Sequence, residues 1–175
     1  MSDRSDASAS IEYSARGNTR WIVLKGPWGR RIDRLIVRHL GLSLITWQYA
    51  KAGAVPYRST LLLTTIGRRT GTLRPRALPY HRDGDSFVVI GSNGGGPTDP
   101  DWVWNVRDNP AAWICVHRRE IPVRAHVADG DERERLFALI GESGDSLARY
   151  QERASTFGRT VPLVVLEPRD GVGRW

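Results

Sequence analysis

Two short stretches carry most of the chemistry open to this 175-residue chain. The first is Gly67-Arg68-Arg69-Thr70-Gly71, which ends the apolar run Leu61-Leu62-Leu63-Thr64-Thr65-Ile66. Glycines at both ends allow a tight turn whose N–H groups can point at a guest, and the arginines make that guest an anion. Arg74 and Arg76 follow at strand spacing, so both project from one face and four guanidiniums converge near one loop. The second stretch is Gly91-Ser92-Asn93-Gly94-Gly95-Gly96-Pro97, after the apolar run Ser86 to Ile90. It leads into Thr98-Asp99-Pro100-Asp101-Trp102, where Thr98 or Asp99 suits an N-cap and Pro100 the first helical position. A glycine-rich strand end running into a helix N-terminus offers N–H donors to phosphate. Taken singly, either stretch reads as a solvated turn that keeps a sheet edge soluble. Together, one hairpin apart, they point to a phosphate-bearing cofactor.

No other constellation competes with this one. His39, His81, His117 and His126 are scattered, with no two at metal-ligand spacing, so no metal site is expected. His81 is expected at a strand end facing water. No catalytic triad or paired carboxylate can be assembled. Such a chain needs only to hold a cofactor, orient a substrate and shape the field around them.

Several segments in order carry a family resemblance: Thr64 to Gly71, Arg82-Asp83-Gly84, Ser92-Asn93-Gly94-Gly95, Trp102 to Asn105, Asn109-Pro110 and Arg159 to Val165. Over Tyr57 to Pro168 the chain resembles the deazaflavin-dependent nitroreductase and quinone reductase family. The resemblance implies a split β-barrel of the FMN-binding type and the coenzyme F420, a 5-deazaflavin whose C5 hydride passes to a quinone, a nitroaromatic or a similar electrophile. The side arm of F420 carries a phosphodiester and a tail of glutamates, which suits clustered arginines.

Carried over residue by residue, the resemblance assigns Arg68, Arg69, Thr70, Gly71, Arg74 and Arg76 to the side arm. Leu78 and Pro79 would line the ring pocket, and Ile90, Gly91, Ser92 and Asn93 would meet the phosphate and ribityl portion. Asp101, Trp102 and Asn105 would complete the wall; Trp102 reads equally well as a core aromatic, and Asn105 as a helix-end polar residue. Tyr150 is the candidate hydroxyl donor to the acceptor. Relatives often show two tyrosines three residues apart, whereas Leu147 and Arg153 flank Tyr150 at that spacing. Val103, where an aromatic is common, and the neighbouring Trp104 suggest a reshaped acceptor pocket. Three alternatives stay open: FMN in place of F420 on the same barrel, a non-enzymatic carrier of deazaflavin or lipid, and a basic adaptor with no cofactor.

The elements that must position these residues follow from patterning. Apolar alternation predicts strands at Ser59 to Thr65, Arg74 to His81, Ser86 to Gly91, Ala111 to Val116, Ile121 to Ala128 and Pro162 to Leu166, with a tight hairpin at Arg82 to Asp85. Pro75 and Pro79 imply an edge or bulge in the second strand. Helices are expected over Asp129 to Gly141 and Asp145 to Thr156. Six short, mainly antiparallel strands with added helices argue a small closed barrel.

Residues 1–18 lack periodicity and read as a disordered tail, 19–56 as a basic helical segment linked through Gly53 to Pro56, 57–168 as the barrel domain, and 169–175 as a C-terminal tail. Ile32, Leu35, Ile36, His39, Leu40 and later Ile45 and Trp47 recur at helical spacing, with Arg31, Arg34 and Arg38 on another face. The first reading of this helix packs its apolar face on the barrel and leaves the arginines in water. The second lays it on an anionic membrane surface with Trp21, Trp28 and Trp47 as anchors.

The net charge of +7 supports the weight given to this segment: residues 1–60 carry ten Lys or Arg against four acids, the rest sixteen against fifteen. No nucleic-acid motif accompanies the charge, so nucleic acid is not expected as a partner. Cys115 alone cannot form an internal disulfide and is expected buried and inert, in keeping with a cytoplasmic protein. The first twenty residues lack the apolar stretch of a signal peptide, and no run is long enough to span a bilayer. A homodimer is expected from the resemblance alone.

Overall fold

A computed structural model describes residues 26–40, 42–45, 47–48 and 58–169. The tail expected for 1–18, Trp21 and the link Gly53 to Pro56 lie outside the described residues, as does all but Arg169 of the C-terminal tail.

Six strands close into one antiparallel barrel: β1 (Thr60–Ile66), β2 (Leu73–Asp83), β3 (Ser86–Ile90), β4 (Ala111–Val116), β5 (Arg119–Val127) and β6 (Leu163–Pro168). Around the barrel they run β1-β2-β3-β6-β5-β4. The helices are α1 (Gly26–Leu40), α2 (Asp101–Asp108), α3 (Gly130–Glu142) and α4 (Leu147–Ser155). All six expected strands and both C-terminal helices appear, with no end shifted by more than two residues.

Alternation along each strand divides the core in two. Leu61, Leu63, Phe87, Val89, Ile114, Ile121 and Val123 fill the barrel interior, and Trp102, Val103 and Val106 of α2 join them there. The opposite faces of β3 and β6, through Val88, Leu163 and Val165, pack on Leu136 and Ile140 of α3 and Leu147 and Ala154 of α4. Both layers exclude water from their apolar side chains, the dominant favourable term in folding.

β2 explains how a closed barrel can still be open. Its first half, Leu73 to Pro79, pairs only with β1, whereas Tyr80 to Asp83 pairs with β3. Pro75 and Pro79 both lie in the first half, where no neighbour needs their missing N–H groups. The edge expected from these prolines is therefore present, confined to half a strand.

α1 corrects the expected docking face. Its buried line is Gly29, Asp33 and Val37, at helical spacing, whereas Ile32 and Leu35 stay exposed. The cause is Asp33, which is 3% exposed. Its carboxylate accepts from Ser43 Oγ at 2.8 Å and from the Ile45 N–H at 3.1 Å, so the helix must turn this side inward to hold the following segment. Val37 then seats against Leu62 and Cys115. Cys115 is buried as expected, and burial pushes its thiol pKa up.

Candidate active site

The open half of β2 is one wall of a cavity of about 760 Å³. Arg68, Arg69, Thr70, Arg74 and Arg76 line it from the first loop and β2, and Asn93, Asp101, Trp102 and Asn105 line it from the second loop and α2. Nine of the residues singled out from the sequence thus meet around one space. Arg34 of α1, Asp99 and Thr98 also line it and were not foreseen. Register explains the strand arginines: Arg76 stands opposite Leu63 and Arg74 opposite Thr65, so both continue the inward-facing row of Leu78 and Tyr80 to the barrel rim.

Gly71, Leu78, Pro79, Ile90, Gly91, Ser92 and Tyr150 do not bound this cavity. Leu78 packs against the barrel interior, and Ile90 and Tyr150 pack with the α3–α4 layer. Pro79 is exposed on β2. Gly91 is buried where a Cβ would come within 2.7 Å of Pro162 and 2.9 Å of Val103, so its lack of a side chain admits these neighbours.

Neither loop presents its amides in the way glycine content suggests. In the first, the N–H groups of Gly67, Thr70 and Gly71 already donate to Thr72 O, Gly67 O and Gly67 O, at 2.8, 3.1 and 2.7 Å. The Arg68 N–H donates to Asn105 Oδ1 at 3.1 Å. The turn therefore spends these amides on its own shape, and its side chains are what it presents to an anion. Asn105 also donates from Nδ2 to Thr65 Oγ1 at 3.0 Å, clasping α2 to the end of β1. Arg74 Nη2 donates to Thr70 Oγ1 at 3.3 Å, which sets the direction of that guanidinium.

In the second loop Arg159, invisible as a site residue in the sequence, is the organiser. Its side chain is 8% exposed. Nη1 donates to Ser92 O and Gly96 O at 2.9 Å each, Nη2 donates to Gly91 O, and Nε donates to Asp99 Oδ1 at 2.7 Å. Asp99 also accepts from Arg107 Nη1 at 2.7 Å. The expected N-cap on α2 is corrected accordingly: Asp99 is drawn into these ion pairs, and Pro100 caps the helix without a side-chain bond. Gly95 adopts φ +73°, and a Cβ there would meet Arg153 and the Tyr150 carbonyl at 2.9 Å, so the loop can rest directly on α4.

Three further residues find definite places. Val103 is fully buried in the barrel core with Trp102 and Val106. Trp104 is 40% exposed, with the guanidinium carbons of Arg107 and Arg68 at 4.6 and 5.7 Å from its ring centroid, so it steadies both cations. His81 is buried instead of facing water, because Nε2 lies 3.1 Å from Asp145 Oδ2, which also accepts from Arg58 Nε at 2.9 Å. Burial pushes the Asp145 carboxyl up, but the His81 hydrogen bond and the His81 and Arg58 charges outweigh it, leaving its pKa below the usual value.

Trp102 is 6% exposed, packed in the barrel core, and also lines the cavity. As a donor set the cavity is cationic, with five arginines on its wall and one of its two carboxylates, Asp99, already paired. Such a set fits a long polyanion far better than a neutral ligand.

The family model for F420H(2)-dependent quinone reductase matches residues 46–168. An F420H(2)-dependent quinone reductase of Mycobacterium tuberculosis (strain ATCC 25618 / H37Rv) is 32% identical over 149 residues, covering 79% of this chain and 99% of that protein. A solved F420-H2 dependent reductase is 28% identical with a TM-score of 0.55, covering 62% of this chain and 93% of its own. Another solved chain, described as a domain-swapped dimer, is 26% identical with a TM-score of 0.57, covering 80% and 97%.

Proposed function

Since the chain belongs to the F420H(2)-dependent quinone reductase family, for which coenzyme F420 is the cofactor, we propose that it uses reduced F420 to reduce a quinone-like or nitroaromatic acceptor at the arginine cavity. The observation that carries this reading is the meeting of Arg68, Arg69, Arg74 and Arg76 in one space. A lone FMN phosphate would leave most of those cations without a partner.

In this reading the four arginines hold the phosphodiester and glutamate arm, with Arg74 aimed by Thr70 and the Arg68 loop fixed by Asn105. When bound, F420H2 supplies the hydride from C5. Trp102 and Asn105 close the inner wall and keep water from it. Arg159 holds the Gly91–Gly96 carbonyls inward, which fixes where the second loop meets the arm. The surrounding guanidiniums favour negative charge developing on the acceptor. Tyr150 enters as a hydroxyl donor through the resemblance; its half-buried ring packs with the α3–α4 layer, and we assign it to holding that layer.

The test is a fluorescence titration with F420 in both redox states, followed by loss of the reduced form on adding menadione. Binding with acceptor-dependent oxidation supports the proposal. Tight binding without oxidation would make the protein a carrier, and no binding would remove the proposal entirely.

A second surface supports a peripheral contact with anionic membrane on the cytoplasmic side. Trp28 is 73% exposed, Leu35 59% and Trp47 50%, with Ile32, Leu42 and Leu44 also exposed and Arg31 and Arg38 beside them. Apolar side chains flanked by cations suit the lipid interface. No helix among the described residues is long and apolar enough to cross a membrane. Sedimentation with anionic vesicles tests the contact, and protein left wholly in the supernatant rejects it. Self-association like that of the domain-swapped relative is a further proposal, read by light scattering.

A further inference from the structure

Arg34 stands on α1, outside the segment matched by the family model, yet it lines the arginine cavity with Arg74, Pro75 and Arg76. It also lines a neighbouring groove of about 700 Å³ between α1 and the barrel, walled by Leu35, Leu62, Trp113 and Ile114. Arg34, Leu73 and Pro75 belong to both spaces, so Arg34 sits on the rim where they meet. Its side chain is half-buried, and Nη1 donates to the Pro75 carbonyl at 3.5 Å. Arg38, one turn further on, is paired with Glu120 at 2.8 Å; among the described residues Arg34 makes no such ion pair.

Resting on the proposed function of this cavity, we infer that Arg34 is a fifth cation for the coenzyme's carboxylate tail, so that the bound coenzyme fastens α1 to the barrel. A guanidinium carries five N–H donors, and one directed at a carbonyl leaves an unspent fork that matches a carboxylate. The tail presents several carboxylates along a flexible chain, more than one phosphate-sized cluster can pair. Arg34 lies where such a chain leaves the barrel arginines, on an element that belongs to neither loop. A ligand held by α1 and the barrel together must favour the docked position of α1, and docking must favour the ligand by the same factor.

Two probes separate this role from general stabilisation: F420 with its glutamate tail, and the deazaflavin chromophore on its ribityl chain without phosphate or tail. Each is titrated by fluorescence against the full chain, and hydrogen exchange of the α1 amides is followed with each. In the wild type, tailed F420 slows α1 exchange and the tail-less compound does not. Arg34→Gln weakens tailed F420 about three- to ten-fold, the range for one partly exposed charge-assisted contact. It leaves the tail-less affinity unchanged and abolishes the slowing, and Arg34→Lys restores part of both. Equal affinity of Arg34→Gln and wild type for tailed F420, or equal losses for both probes, would overturn the inference while leaving the coenzyme reading standing. Failure of the wild type to bind either probe sinks both.

Discussion

Arg159 reaches back from the segment before β6 to pair with Asp99 at 2.7 Å, and the same guanidinium gathers three carbonyls of the Gly91–Gly96 turn. The glycines permit that turn; the arginine gives it one shape.

Arg159→Lys keeps the charge but cannot reach several carbonyls and a carboxylate at once. Losing two or three buried hydrogen bonds should cost about 2–4 kcal/mol. For a domain of this size that is a fall in Tm of roughly 5–15 °C. F420 affinity should fall by about ten-fold or more as the turn loosens. Calorimetric melting and fluorescence titration read the two effects; an unchanged affinity would show that the turn does not meet the coenzyme.

Asn105→Ala removes the acceptor of the Arg68 N–H and the donor to Thr65. Each buried group left unpaired costs about 1–3 kcal/mol. The first loop should lose its fixed position and F420 should bind about five- to ten-fold more weakly, while Asn105→Asp keeps the acceptor for Arg68 and should bind better than the alanine variant.

Asp145 ties Arg58 and His81 to the segment before α4, and its pKa is depressed in the fold. A carboxylate with a lowered folded-state pKa contributes stability that is complete above its unfolded value and disappears as pH falls through the folded one. Wild-type stability should therefore drop on acidification below the ordinary carboxylate value of 3.8. Asp145→Asn should be less stable at neutral pH by about 1–3 kcal/mol and show a shallower acid loss, measured by urea unfolding from pH 2.5 to 7.

Tyr150→Phe should leave menadione turnover within about two-fold, because the residue packs against the α3–α4 layer and does not bound the cavity. A drop beyond ten-fold with unchanged F420 affinity would return the hydroxyl to the role of donor.

The barrel was legible because strand alternation, turn glycines and the β2 prolines agree locally with the closed sheet. The convergence of Arg74 and Arg76 was legible for the same reason, since a period of two fixes a shared face. Arg159 was not, because its partners lie sixty or more residues earlier and nothing in the local pattern marks a buried arginine. Asp99 was misplaced as a cap because capping propensity is a local preference, and two guanidiniums outbid it. The docking face of α1 escaped a periodicity argument because the decisive inward residue is polar: Asp33 turns the helix by its hydrogen bonds, against the apolar stripe.

The proline-bearing half of β2 has one further effect. An unsealed seam in a sheet normally invites any extended peptide to zip on through its amides, the first step of strand-mediated aggregation. Here prolines at 75 and 79 deny that peptide two of the donors it would need, and the arginines at 74 and 76 repel basic chains. The seam can thus stay permanently ajar for a small charged guest while remaining barred to polypeptide.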